Sequence, residues 1–192
     1  MLPIKKRPYR GNDYSVAKRL RKVEALARAN KPELKSISFV VAGNMGALTG
    51  FANVDLTNIA EGTASNERIG DKIHLVSMEI RGLIDPDIDA HAIKCNSTTK
   101  PTAALFTGGV GTFLLESETG SRFRELFHYR SWQTIDGFLG NFALKRKLGY
   151  NCQYSGTLGT TAQLGCTTIT LVNRSAAAKN YSFTVRLFYT DG

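Results

Sequence analysis

Positively charged side chains are concentrated at the N-terminal end of this 192-residue chain. Residues 1–35 contain eleven Lys and Arg residues against three acidic residues, whereas residues 36–192 contain fourteen against thirteen. Grouped cations can neutralise the phosphates of a polyanion and release counterions without reading its bases. The side chains that we predict to contact nucleic acid are Lys5, Lys6, Arg7, Arg10, Lys18, Arg19, Arg21, Lys22 and Arg28.

The elements that must present these cations differ along the arm. Residues 1–10 are charged and interrupted by proline, which predicts an extended segment. From Asn12 to Asn30 apolar residues recur at helical spacing, which predicts a basic amphipathic helix with a narrow apolar stripe. Because so thin a stripe does not stabilise a lone helix, we expect it to need a partner helix, the body or nucleic acid.

Two other uses of the arm are open, a solubilising tail and a helix that lies on a membrane surface. A tail does not need an apolar stripe, and acidic residues serve solubility better. A membrane-surface helix usually carries Trp and Phe anchors, and the stripe contains neither. Nucleic-acid binding is therefore the favoured interpretation.

The residue types that support catalysis or metal binding are scattered. His74, His91 and His128 lie far apart in the sequence, and no histidine has metal-ligand spacing to another His or Cys. We expect all three to be ordinary surface or interface residues, and we expect the protein not to be an enzyme. Asp85, Asp87 and Asp89 alternate along one short stretch, which predicts a solvated loop, or a weak cation site as the alternative.

The cysteines and the first residues indicate a reducing compartment. Cys95, Cys152 and Cys166 are odd in number and widely spaced, so we expect buried free thiols. The N-terminal sequence lacks the apolar stretch of a secretory signal, which predicts a chain kept in the cytosol or nucleus.

The rest of the chain reads as a body of strands, residues 36–192, that follows the arm, residues 1–35. Alternation of apolar and polar residues predicts strands at Ser36–Ala42, Gly50–Leu56, Lys72–Ile84, His91–Cys95, Gly111–Glu116, Arg122–Arg130, Phe142–Tyr154, Thr167–Asn173 and Tyr181–Thr190. Within Lys72–Ile84 the apolar phase changes between Leu75 and Val76, which predicts a β-bulge or a bend. Eight or nine strands joined by glycine-rich turns favour an all-β antiparallel sandwich.

Three segments resemble a pattern found in viral coat proteins. The chain has Gly62 followed after five residues by Arg68-Ile69-Gly70-Asp71, then a long strand that ends in Arg81-Gly82. Arg122–Leu126 and Tyr189–Asp191 are similar to a middle strand and a closing strand of the same proteins. These features resemble the single jelly-roll coat proteins of satellite tobacco necrosis virus and of small circular single-stranded DNA (CRESS-DNA) viruses.

The resemblance implies an eight-stranded antiparallel jelly roll of two four-stranded sheets with a basic N-terminal arm and helix. It further implies a small icosahedral shell, T=1 with about 60 copies, whose arms face the genome. With a net charge of about +8 on each arm, about 60 arms would bring on the order of 480 positive charges into such a shell. In the satellite-virus relatives a terminal aspartate holds calcium between subunits, which implies a calcium ligand at Asp191 as the one cofactor site.

The function that we predict from the sequence is a viral coat protein that packages a single-stranded genome. Its partners are then further copies of itself and single-stranded DNA or RNA, with no membrane. Its location is the virion and the host cytoplasm, and the nuclear-import type of the basic cluster adds the nucleus. The alternatives are a monomeric cellular nucleic-acid-binding β-domain and a jelly-roll enzyme or carbohydrate-binding module.

Overall fold

The structure is a computed structural model that describes residues 16, 18–24, 32–47, 50–107, 114–115, 122–130, 140–155 and 162–192. The chain divides into two compact units, Met1–Glu33 and Leu34–Gly192. In the first unit residues 16 and 18–24 are helical. The second unit, which we call the body, consists in its described part of strands and one short 3-10 helix, Ala103–Leu105.

The strands of the body form two larger antiparallel sheets and a short hairpin. The five-stranded sheet has the order β1-β11-β3-β8-β9, the four-stranded sheet the order β2-β10-β4-β7, and β5 pairs with β6. The strands of the described body are β1 Leu34–Met45, β2 Phe51–Asp55, β3 Lys72–Ile84, β4 Ile88–Cys95, β5 Phe106–Thr107, β6 Leu114–Leu115, β7 Phe123–Arg130, β8 Gly140–Tyr154, β9 Ala162–Leu164, β10 Cys166–Asn173 and β11 Lys179–Asp191.

The order of the eight principal strands is that of a jelly roll. Without β5, β6 and β9, one sheet contains the first, eighth, third and sixth strands, and the other contains the second, seventh, fourth and fifth. Strands from opposite ends of the chain, such as β1 and β11 or β2 and β10, are therefore neighbours, which is the strand pairing of a jelly roll. The prediction of an all-β, eight-stranded antiparallel jelly roll is confirmed, whereas one of the two implied four-stranded sheets has five strands because β9 is added to it.

The core lies between the sheets and follows the predicted alternation. Phe183, Val185, Leu187 and Tyr189 of β11 are buried, while the residues between them face outward. The pairing of β3 with β8 shifts register between Leu75 and Ser77, so the bulge predicted at the change of phase is confirmed. The three cysteines are buried and free, as expected.

Two predicted boundaries are wrong. A strand, β9, lies between the predicted strands Phe142–Tyr154 and Thr167–Asn173, where the sequence predicted none. Strand β4 begins at Ile88, so Asp89 belongs to a strand and is not part of a solvated loop. Both faces of β4 are covered, because the segment after it crosses the outer face of the four-stranded sheet and places Phe106 against His91, with ring centroids 4.9 Å apart.

Candidate nucleic-acid interface

The helical segment of the first unit carries four of the predicted nucleic-acid contacts. Lys18, Arg19, Arg21 and Lys22 are helical and exposed. At 3.6 residues per turn, Lys18 and Lys22 lie together on one side of the helix, and Arg19 and Arg21 flank them. The other predicted contacts, Lys5, Lys6, Arg7, Arg10 and Arg28, lie outside the described residues.

The apolar stripe lies on the opposite side of this helix. Val16, Leu20 and Val23 follow the spacing i, i+4, i+7 and are 60%, 58% and 61% exposed. A short helix with its apolar face open to solvent has little to stabilise it, since helices in proteins depend on packing of that face. The stripe therefore leaves apolar surface available for a partner. No helix in the described part of the chain is long and apolar enough to cross a bilayer.

Asp191 has protein donors on both carboxylate oxygens. The Lys35 ammonium lies 2.8 Å from Oδ2, and the backbone N–H of Ile69 donates to Oδ1 at 2.9 Å. Lys35 also donates to the backbone carbonyl of Glu67 at 2.9 Å. Calcium at Asp191 stays a prediction, and a calcium ion bound there would have to replace an ammonium that already supplies positive charge.

The turn that resembles the coat-protein pattern is fixed by Arg68. This side chain is completely buried, and its guanidinium lies 4.1 Å from the centroid of the Tyr154 ring. It donates to the backbone carbonyls of Ile59, at 3.3 Å, and Gly70. Gly70 has φ +82°, a conformation in which glycine lacks the steric penalty of other residues. The arginine and glycine of the pattern therefore serve the structure of the turn.

Asp89, His91 and His128 form a cluster that sequence spacing did not reveal. Their potential ligand atoms lie within 4.8 Å of one another. The expectation that His91 is a surface or interface residue is wrong, because only 1% of this residue is exposed in the single chain. His91 and His128 are neighbours because β4 pairs with β7 in a register that places them directly opposite.

The cluster is built as a charge network. The two imidazole rings stack, with centroids 4.3 Å apart and an interplanar angle of 4°. Lone pairs of parallel rings do not converge on one ion, and Asp89 already has Arg130 at 3.2 Å and Arg174 at 3.0 Å. Burial alone would raise the pKa of Asp89, but hydrogen bonds from His128 and Arg130 and the charge of Arg174 lower it. We therefore assign the cluster a structural role.

Comparison with known proteins adds a distant structural similarity. No protein-family model and no curated protein matches the sequence. A chain from the structure of the infectious bursal disease virus Gx strain aligns with 85% of this chain at a TM-score of 0.36 and 9% identity. A chain from T=1 particles derived from infectious bursal virus aligns with 84% at a TM-score of 0.25 and 9% identity. A chain from the VP2 subviral particle of infectious bursal disease virus aligns with 85% of this chain at a TM-score of 0.22 and 10% identity.

This chain spans 33%, 40% and 42% of the length of those three chains. The fold assignment rests on the strand order described above, because TM-scores this low carry no inference about function. The resemblance to coat proteins of satellite tobacco necrosis virus and small circular DNA viruses, which was drawn from the sequence, stays a prediction. The strand order assigns the jelly-roll fold, and the comparisons add a distant similarity to proteins of virus particles.

Proposed function

We propose that this chain is a non-enzymatic viral coat protein that self-assembles into a small icosahedral shell of about 60 copies. In this proposal the body builds the shell wall, and the basic arm gathers a single-stranded genome. The function follows from the residue chemistry of the two units, together with the resemblance of the Arg68–Asp71 turn and of the closing strand.

The observation that carries the proposal is the separation of charge between the two units. Residues 1–33 contain ten Lys and Arg residues against three acidic ones, and residues 34–192 contain fifteen against thirteen. The four described cations of residues 1–33, which are Lys18, Arg19, Arg21 and Lys22, are helical and exposed. Phosphate neutralisation by such an arm gives sequence-tolerant, salt-sensitive binding, which suits a protein that must cover an entire genome.

Closed assembly multiplies the effect of each arm. In a symmetric shell every arm has an equivalent environment, so one modest cationic segment becomes a large combined charge facing one cargo. The exposed stripe of Val16, Leu20 and Val23 would gain a partner when arms are crowded together. We favour DNA as the cargo because the basic cluster is of the nuclear-import type, and nuclease digestion of extracted cargo decides between DNA and RNA.

The test is to purify the full chain and its arm variant as particles. Replacing Lys18, Arg19, Arg21 and Lys22 by Gln should leave shells visible by negative-stain microscopy but lower the 260/280 nm absorbance ratio of the particles. The matched control exchanges Lys for Arg and Arg for Lys at the same four positions, which keeps the charge and should keep the cargo.

Two results would contradict the proposal. Shells of the Gln variant with an unchanged absorbance ratio would remove the arm from packaging. A wild-type chain that elutes as a monomer under all assembly conditions, yet still binds single-stranded nucleic acid, would favour the cellular nucleic-acid-binding domain.

Calcium between subunits is a separate part of the proposal. If calcium binds at Asp191, chelation by EGTA should lower the melting temperature of purified shells by several degrees. An unchanged melting temperature would assign the counter-charge of Asp191 to the Lys35 ammonium alone.

A further inference from the structure

The body contains a basic cleft of about 170 Å³ where its two sheets meet. Lys94 of β4 and Arg124 of β7 reach it from the four-stranded sheet, and Arg146 and Lys147 of β8 reach it from the five-stranded sheet. Glu125, Leu126, Leu148, Gly149 and Tyr150 complete the lining. Four cations thus surround a space with one acidic residue beside it.

The pairing of strands places like charges against each other in this cleft. Lys94 and Arg124 lie directly opposite in the antiparallel register of β4 and β7. Like charges at such positions are destabilising, so sheets usually place opposite charges there. An anion in the cleft would turn this repulsion into attraction.

The described residues do not neutralise these cations internally. Among the ion pairs that the structure records in its described part, none involves Lys94, Arg124, Arg146 or Lys147. Glu125, the acidic residue of the lining, has its carboxylate 2.6 Å from Nδ1 of the buried His91. The pKa of Glu125 is lowered by that hydrogen bond despite the effect of burial, so the carboxylate is charged and bound to the histidine.

Two adjacent cations of β8 border the cleft next to a bulge in that strand. In a regular strand neighbouring side chains point to opposite faces. Here the pairing of β3 with β8 shifts between Leu75 and Ser77, and Gly149 adopts φ +69°. Arg146 and Lys147 directly precede this shift, and both are exposed and line the cleft. Bulges are over-represented next to functional sites.

We propose that this cleft binds a phosphodiester group of single-stranded nucleic acid and gives the body a phosphate contact of its own. Two guanidiniums and two ammoniums match the charge and the acceptor geometry of a phosphate. The Lys94 ammonium lies 4.7 Å from the centroid of the Tyr150 ring, and both residues line the cleft. The choice of nucleic acid among phosphate carriers rests on the proposed function.

The experiment measures binding of fluorescein-labelled dT12 to the full, unassembled chain by anisotropy over a series of salt concentrations. The cleft variant is Arg124→Gln with Arg146→Gln. The matched control is Arg81→Gln with Arg186→Gln, which removes the same charge from the two arginines that border Glu79 elsewhere in the body. Circular dichroism and melting temperature confirm that both variants are folded.

We expect the cleft variant to bind dT12 roughly tenfold more weakly than wild type at low salt. Each phosphate contact to a single strand contributes about 0.7 to the slope of log K against log salt, so the slope should fall by about 0.7 to 1.4. The control variant should keep the wild-type slope. Wild-type binding of dA12 should resemble that of dT12, because the contact is with phosphate.

Equal losses in the cleft and control variants, or no loss in either, would overturn the inference. So would a cleft variant that keeps its affinity for dT12 but loses retention on heparin, which would assign the cleft to a sulfated polysaccharide. Negative-stain microscopy of the same proteins under assembly conditions separates this inference from the proposed function. Shells without cleft-dependent binding refute only the cleft, and cleft-dependent binding by a chain that never forms shells refutes only the coat-protein proposal.

Discussion

Replacing Lys35 by Met should destabilise the body, because this lysine connects the first strand to the last. Lys35 is 5% exposed in β1, and its ammonium contacts Asp191 of β11 and the backbone carbonyl of Glu67. Met keeps an apolar stem of similar length but cannot donate. The variant therefore loses both hydrogen bonds without opening a large cavity.

The expected loss in the free energy of unfolding follows from the burial of Lys35 and Asp191. Removing one member of a fully buried ion pair costs about 3–5 kcal/mol. The Asp191 side chain is 22% exposed and keeps the N–H of Ile69, so it can be partly hydrated, and we expect about 2–3 kcal/mol. For a chain of this size that corresponds to a fall in melting temperature of about 4–12 °C.

Urea denaturation followed by circular dichroism provides the free energies of unfolding of Lys35→Met, Asp191→Asn and the double variant. The coupling energy between the two sites should be about 1–2 kcal/mol, since either single change removes the same contact. Size-exclusion chromatography must show the same oligomeric state for all variants, because assembly adds to apparent stability. A destabilisation below about 0.5 kcal/mol, or additive effects, would refute the reasoning.

Two further predictions concern the body. Burial raises the pKa of Asp89, but hydrogen bonds from His128 and Arg130 lower it, and the net effect is a decrease. The charged carboxylate therefore stabilises the folded state above about pH 4, and this stabilisation is lost as the pH falls through the pKa of Asp89 in the folded state. The Asp89→Asn variant should have a lower melting temperature than wild type at pH 7, and its melting temperature should fall less on acidification. Parallel curves of melting temperature against pH for variant and wild type would contradict this. A Cβ at Gly82 would lie 2.3 Å from the backbone of β11, so Gly82→Ala should lower the free energy of unfolding by more than about 2 kcal/mol. The control is Gly46→Ala, because a Cβ at Gly46 meets nothing within 4 Å. Equal melting temperatures of the two variants would exclude a packing role for Gly82.

Alternation of side chains predicted the architecture of the body because one face of most strands is buried. β11 shows this clearly, since its buried residues are the apolar ones. The change of phase at Leu75 predicted the bulge for the same reason, because a bulge is the local way to keep apolar side chains inward. Such patterns depend only on neighbours in sequence.

Contacts between distant segments were not predictable in the same way. His91 and His128 are 37 positions apart, and only the register of β4 with β7 brings them together. Lys35 was counted with the charges of the arm, because nothing in its local sequence indicates that Asp191 lies beside it. The basic cleft escaped prediction for the same reason, since Lys94, Arg124 and Arg146 come from three strands of two sheets.

Pairing of the first strand with the last has a practical consequence for modifying the protein. Leu34, where the body begins, is opposite Thr190, two residues before the final glycine. A peptide fused after Gly192 would thus start close to the root of the arm. If the proposed shell keeps its arms inside, such a peptide would be enclosed with the cargo, and a label meant for the outer surface would have to be inserted in a loop instead.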